Sequence, residues 1–412
     1  MEVAELFEDA FYIRQMWSFS RALDLGLVDE EIERGLQVSL GQRHGERVAY
    51  IAMRVGRFLG LNKESLVHVT VAGLLHDIGA LGYIGEYNGD PRILERHCHV
   101  GAVIVERFPA GKILAQAIKY HHETPDLLHS ALGAPAEEVT LMARILSLAD
   151  KIDLRLKRSL SSRRERDEIM EWVTQNTGTL FYPEVADAFK QVAQKEAFWL
   201  DIEQPDLLQI ALGLLCGQWQ LPATRELEIG LTDNLAATFA DLIDQKSRFT
   251  ARHSRSVAET VERLARGIGW EGDRLHEIYV AGLLHDLGKL SIPRKILDKP
   301  GPLEPSEVEI IRTHTYYTHR LLTEAGFPTR MVEWSAHHHE RLDGKGYPFA
   351  LRENDLNEGA RLMAIADIFA ALTEDRPYRI AMSTGEALAL IQRGAGTMLD
   401  QGLIDVAKRV LG

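Results

Sequence analysis

Cysteine is almost missing from this 412-residue chain. Its two thiols, Cys98 and Cys216, exclude a disulfide framework, and both read as small buried hydrophobes with no assigned chemistry. Long apolar runs are missing too. The longest, Leu207–Cys216, is half of the roughly 20 residues that a bilayer-spanning helix needs, so no membrane crossing is expected. The opening "MEVAELFEDAFY" lacks a basic segment followed by an apolar one, which argues against secretion and points to the cytoplasm. Positive charge is in deficit: the net charge of −13 repels polyanions, and no basic stripe suggests binding to long DNA or RNA. A small anionic ligand is not excluded, because a few placed cations can hold one locally. Alternating strand patterns are nearly absent, whereas "VEWSAHHHE", "RLMAIADIFAAL" and "LHEIYVAGLLHDLG" carry apolar residues at threes and fours. The fold class expected is all-α.

What the chain does contain is a repeat. The run "VAGLLHD" ends at Asp77 and returns ending at Asp286, 209 residues later. The same offset carries His44 to His253 and His76 to His285; an offset of 217 then carries His97, His121, His122 and Asp150 to His314, His338, His339 and Asp367. An eight-residue insertion in the second copy accounts for the change of offset. It lies where "SIPRKILDKPGPLEPSE" replaces the shorter loop around "GEYNGDPR". Further on, "GTLFYP" matches "GTMLDQ" at an offset of 218. The expected organisation is a tandem of two helical domains, residues 1–205 and 220–412, joined by a packed connector helix over residues 206–219.

Ten of the sixteen histidines occupy paired positions. One such histidine alone would ordinarily be a hydrogen-bonded or surface residue, and His68, His99, His129, His276, His319 and His337 keep that reading. Packing alone gives no reason to keep five imidazoles and two carboxylates together in both copies. Imidazole and carboxylate without thiolate suit divalent iron, manganese, cobalt or zinc and disfavour a structural zinc knot. Seven ligands exceed one tetrahedral site, so two metals bridged by a carboxylate such as Asp286 are expected, with His285-Asp286 and His338-His339 projecting from helices. A pair of such ions activates water and polarises phosphoryl oxygens, the chemistry of phosphoester hydrolysis.

The order His, His-Asp, His, His-His, Asp resembles the HD superfamily of metal-dependent phosphohydrolases. In the second copy, "HDLGK" from His285, "HHERLDGKGYP" from His338 and "ADIFAALTEDRPYR" from Ala366 resemble the HD-GYP subgroup of cyclic dinucleotide phosphodiesterases. This resemblance implies metal ligation by His253, His285, Asp286, His314, His338, His339 and Asp367, and by His44, His76, Asp77, His97, His121, His122 and Asp150 in the first copy. It implies two divalent ions per active site, iron or manganese first, then zinc, cobalt or nickel. Asp286 and Lys289 would be catalytic, with Lys289 donating to the scissile phosphate. The loop Asp343, Gly344, Gly346, Tyr347, Pro348 would shape the pocket mouth, and Arg376 and Arg379 would clamp the second phosphate.

Departures from the family pattern refine this picture. Some members hold a third metal through a Glu four residues before the first histidine; Phe249 and Leu40 stand there, so two metals are expected. Ala370 and Ser256 replace a usual Asp and Arg, which bears on substrate contacts more than on the metals. The first copy keeps Asp153 where the second has Ala370. It has Ala80 in place of Lys289, "PDLLHSAL" in place of the GYP loop, and Ser159 and Ser162 in place of the two arginines. The expected activity of the second copy is hydrolysis of cyclic di-GMP or 3′,3′-cyclic GMP-AMP to the linear 5′-phosphorylated dinucleotide. The first copy is then either a second phosphohydrolase acting on that product or a metal-stabilised structural domain. The competing readings are a non-catalytic cyclic dinucleotide sensor reporting to a protein partner or acting as a homodimer, and a broad nucleotide phosphohydrolase.

Overall fold

The computed structural model describes residues 10–33, 43–81, 91–122, 137–156, 163–217, 231–246, 252–374 and 380–412. Every regular element among them is a helix, and β structure is confined to isolated bridges such as Thr177 with Phe181 and Ala395 with Leu399. None of the described helices is long and apolar enough to cross a membrane. The chain forms two compact units, residues 1–223 and 224–412.

The first unit contains α1 (Ala10–Glu33), α2 (His44–Phe58), α3 (Lys63–Leu75), α4 (Pro91–Val105), α5 (Gly111–Lys119), α6 (Glu137–Arg155), α7 (Arg163–Gln175), α8 (Pro183–Ala193), α9 (Glu196–Glu203) and α10 (Leu207–Cys216). The segment expected as a connector is α10. It buries Leu207, Ala211 and Leu212 and packs on α1, α2 and α3. In the second unit are α11 (Leu231–Lys246), α12 (His253–Gly267), α13 (Gly272–Leu284), a 3-10 turn over Leu287–Ser291, α14 (Pro305–Ala325), α15 (Thr329–Ala336), α16 (Glu358–Thr373), α17 (Thr384–Gln392) and α18 (Gln401–Leu411).

The repeat is visible at the level of single contacts. Val48, Ala52 and Val55 form the buried stripe of α2; Val257, Val261 and Leu264, each 209 residues on, form that of α12. Against these stripes lie α3 and α13, whose runs Val71–Leu75 and Val280–Leu284 are buried throughout. The repeated heptapeptide is therefore the central helix of each unit, and its last two letters leave the helix inside the core. Close approach needs glycine here. A Cβ on Gly73 would lie 2.7 Å from Ala49 Cα, and one on Gly282 would lie 2.6 Å from Ala258 Cα. The helices that begin with the first histidine have no capping side chain of their own, and the preceding helix supplies one. The amide of Gly45 donates to Asp24 Oδ1 at 3.3 Å, and the amide of Ser254 donates to Asp244 at 3.3 Å, with its hydroxyl adding a bond at 2.9 Å.

Candidate metal centres

In the second unit, five elements deliver seven ligand candidates to one spot. His253 opens α12, His285 and Asp286 follow α13, His314 lies in α14, His338 and His339 follow α15, and Asp367 lies in α16. The His-Asp and His-His pairs sit in turns just past helix ends, not within helices as the sequence reading supposed. Leaving the helix frees Asp286 (φ −100°, ψ 13°) to turn its carboxylate across the cluster.

Asp286 faces two groups of histidines with its two oxygens. Oδ2 lies 3.1 Å from His285 Nε2 and 3.8 Å from His253 Nε2, while Oδ1 lies 3.4 Å from His314 Nε2 and 3.9 Å from His338 Nε2. Asp367 divides likewise, with Oδ1 3.1 Å from His253 Nε2 and Oδ2 3.9 Å from His339 Nδ1. The first unit reproduces the pattern. Asp77 Oδ2 lies 3.3 Å from His76 and 3.6 Å from His44, and its Oδ1 lies 3.4 Å from His97. Asp150 places Oδ1 3.4 Å from His44 and Oδ2 3.6 Å from His122 Nδ1. A carboxylate shared between two sets of imidazoles is the arrangement that two neighbouring cations require.

Behind the ligands, seven of the ten rings are oriented by an acceptor. His76, His121, His285, His314 and His338 all donate from Nδ1 to the carbonyl three residues back, at 2.6 to 2.8 Å. A carbonyl cannot donate, so Nδ1 carries the proton and Nε2 is left as a lone pair pointing into the cluster. His44 is backed by a carboxylate instead, its Nδ1 donating to Asp153 at 2.7 Å, with Arg47 holding Asp153 at 2.6 and 2.9 Å. The second unit lacks both supports. Ser256 and Ala370 stand in their places, and Glu374 accepts from His253 Nδ1 at 3.1 Å from one helical turn further on. These two departures thus bear on how the first histidine is held.

Charge placement agrees with ligation. Burial, with smaller help from His339 and Lys289, outweighs the attraction of Asp286 and pushes His314 down to about 3, and burial with repulsion from neighbouring cationic groups holds His338, His121 and His122 well below the usual histidine range. These rings are neutral at pH 7. Burial would also lower His253, but its contacts to Asp367 and Glu374 outweigh that and raise it to about 9. Asp286 and Asp367 are held well below the carboxylate range, because their histidine neighbours outweigh burial. Among the described residues, His285 Nε2, Asp286 Oδ1, His121 Nε2 and Asp150 Oδ2 are buried atoms with no hydrogen bond. Converging buried lone pairs without partners are costly, and divalent cations among them would satisfy all four, so the donor set fits metal.

A pH dependence follows. Below pH 9 the proton on His253 competes with metal, so affinity at the second centre is expected to rise by up to about tenfold per pH unit between pH 7 and 9 and to level off above. Metal titrations at these pH values, with proton release recorded, check this; a flat profile would show that His253 does not bind metal as a neutral ring.

The remaining candidates fall around the second centre. Lys289 Nζ, partly exposed at the mouth, donates to Asp286 Oδ2 at 2.5 Å. The Tyr347 ring lies 5.0 Å from that of His339, and burial and the two aspartates raise its phenol, which stays neutral. Gly346 lies against the chain at Glu340, where a Cβ would meet Cα at 2.4 Å. Pro348 follows Tyr347 through a cis peptide. Asp343 is turned to Arg341, at 2.7 and 3.0 Å, and to the Lys345 amide, which makes it a loop-shaping residue. Arg376, Arg379, Ser159, Ser162, His129, Phe249, Leu40 and "PDLLHSAL" lie outside the described residues. Ala80, in place of Lys289, is buried against Leu27.

Three residues escaped the sequence reading. Glu374 orients His253. The buried carboxylate of Glu340 accepts from the amides of Phe349 at 2.7 Å and Leu351 at 3.0 Å, anchoring the loop that carries Tyr347. Arg312 lays its guanidinium over the Tyr347 ring at 5.1 Å. Arg312 belongs to one copy only, with Glu95 at the equivalent position, so the repeat gave no signal for it; Glu340 recurs as Glu123 directly after the His-His pair, a signal the sequence carried.

Comparison with known proteins finds one known domain in each unit. Residues 42–155 and 237–403 each match the HD domain family. A 3′3′-cGAMP-specific phosphodiesterase of Vibrio cholerae is 31% identical over 381 residues, covering 89% of this chain and 86% of the relative. A cyclic di-GMP phosphodiesterase of Thermotoga maritima is 34% identical over 166 residues, 40% of this chain and 45% of the relative. The crystal structure of a cyclic GMP-AMP-specific phosphodiesterase from V. cholerae shares the fold, with a TM-score of 0.66, 97% coverage of both chains and 23% identity. With two HD matches and a relative similar over nearly its whole length, the chain belongs to the HD domain family as a tandem of two HD domains, related to the cyclic dinucleotide phosphodiesterases of that family.

Proposed function

We propose that the second unit hydrolyses a cyclic dinucleotide, 3′,3′-cyclic GMP-AMP in preference to cyclic di-GMP, to the linear 5′-phosphorylated dinucleotide. The observation that carries this is the shared carboxylate of Asp286 between two histidine groups, with Lys289 and Tyr347 at the open side. The choice of nucleotide rests on the relative similar over 89% of this chain being named for 3′3′-cGAMP, whereas the Thermotoga maritima relative named for cyclic di-GMP matches 40%.

His253, His285, Asp286 and Asp367 would hold one cation, and His314, His338, His339 and the other oxygen of Asp286 the second. Two divalent cations, iron or manganese first, supply Lewis acidity toward phosphoryl oxygens and a nucleophile from water at neutral pH. Lys289 donates to an oxygen of the scissile phosphate, where negative charge grows in the transition state. Tyr347, held by Glu340 and covered by Arg312, walls the mouth and presents a flat face to a base. Water adds to phosphorus and the bond to the 3′ oxygen breaks. The phosphate stays on the 5′ side, and the 3′ oxygen leaves with a proton.

The first unit has the same ligand geometry without the lysine. Its His122 is 23% and its Asp77 14% exposed, so two of its ligand candidates reach solvent in part, whereas a structural metal site is closed by its ligands. This favours a phosphohydrolase that removes the 5′-phosphate of the linear product. The test is product identification from both cyclic dinucleotides with iron- or manganese-loaded protein. A 5′-phosphorylated linear dinucleotide, followed by inorganic phosphate, is expected. Tight binding without turnover would instead establish a sensor.

A further inference from the structure

The two centres differ in one donor. In the first unit, His97, Cys98, His121 and His122 each place one ligand atom so that all four lie within 4.8 Å of one another. Cys98 Sγ is 3.8 Å from His97 Nε2; it also lies 3.7 Å from His121 Nδ1, the nitrogen that donates to the Ile118 carbonyl and leaves Nε2 for a metal. Metal–sulfur and metal–nitrogen bonds of about 2.3 and 2.0 to 2.1 Å at a tetrahedral angle separate the two ligand atoms by roughly 3.6 Å, so the thiol already stands at about the spacing of a shared cation. Cys98 is 3% exposed, and His121, whose Nε2 is buried with no hydrogen bond, is 0% exposed. In the second unit the equivalent of Cys98 is Thr315, whose hydroxyl donates to the Arg312 carbonyl at 3.0 Å.

We propose that Cys98 is a fourth ligand to the cation held by His97, His121 and His122, so that one chain carries two dinuclear centres of unlike metal preference. The inference rests on the reading of the first unit as a metal centre. On binding, the thiol releases its proton to solvent and the sulfur donates as thiolate. A thiolate among imidazoles favours zinc, cobalt and ferrous iron over manganese, whereas the second centre, built of nitrogen and oxygen, discriminates less. Zinc, cobalt or ferrous iron would then enter both units, whereas manganese would fill the second in preference to the first.

Cobalt(II) tests this, because thiolate ligation produces a near-ultraviolet charge-transfer band that imidazole and carboxylate do not. The intact chain has two cysteines, so a Cys216→Ser variant leaves Cys98 as the sole thiol. That variant, loaded with cobalt, is expected to show the band; Cys98→Ser and Cys98→Thr are expected to lose it and to weaken zinc binding in the first unit on the order of tenfold, with manganese binding unchanged. His121→Ala reports on the centre itself and should lower the cobalt count per chain. If that count falls but Cys216→Ser shows no thiolate band, Cys98 is not a ligand and the proposal is overturned. If His121→Ala leaves the count unchanged, the first unit holds no such centre and the reading beneath the proposal fails with it.

Discussion

Asp286→Ala is expected to lower cyclic dinucleotide turnover by about 10³-fold or more, with loss of bound metal from the second unit. The size follows from position. Asp286 alone places one carboxylate oxygen against His253 and His285 and the other against His314 and His338. Deleting it removes the carboxylate that faces both histidine groups and leaves Asp367 as the remaining anionic ligand candidate of the set, so less negative charge offsets two divalent cations, while the Lewis acidity that the cations supply is worth several kcal/mol at the transition state. Asp286→Asn is the sharper variant, because it keeps the volume but offers one neutral oxygen in place of two charged ones. Metal per chain should fall by about two in both variants, leaving the first unit's share. Elemental analysis of the purified variants beside a turnover assay decides the matter; full activity or an unchanged metal count would remove Asp286 from the centre.

Lys289→Met is expected to reduce kcat about 10²-fold at an unchanged metal count. One charge-bearing donor aimed at developing negative charge is worth roughly 2.7 to 4 kcal/mol. At rest Lys289 is paired with Asp286 at 2.5 Å, so its ammonium must exchange that carboxylate for a phosphate oxygen when substrate arrives. The exchange keeps the charge near the cluster in both states, and the effect is therefore expected in kcat more than in KM. Steady-state kinetics on the metal-loaded variant separates this from a structural role. Were metal lost together with activity, Lys289 would matter chiefly as the counter-charge of Asp286. Ala80 is the natural counterpart of this variant, and its burial against Leu27 means that the first unit does not supply the missing charge from the same position.

The seven-residue sets were legible in the sequence because duplication left two copies to compare, and a shared chemical constraint kept them alike. The helices were legible for a related reason: the stripes Val48, Ala52, Val55 and Val257, Val261, Leu264 repeat at helical spacing. The residues behind the ligands were not. His44 is held by Asp153, but His253 is held by Glu374, so one carboxylate function moved a helical turn between the copies and position-by-position comparison reads it as a loss. A main-chain carbonyl backs five of the rings, and no side-chain pattern reports a carbonyl. Cys98 had no partner in the repeat and read as an ordinary buried thiol.

The sequence by itself determined the helical class, the tandem repeat and which residue types recur as a set, since these depend on periodicity and offset along the chain. Tertiary structure decided which oxygen of Asp286 meets which histidine, which nitrogen of each ring is free, and that Cys98 stands beside three imidazoles. Those facts depend on turns that leave a helix and on contacts between elements up to 121 residues apart, such as His253 with Glu374, where side-chain direction is set by packing and not by the order of residues.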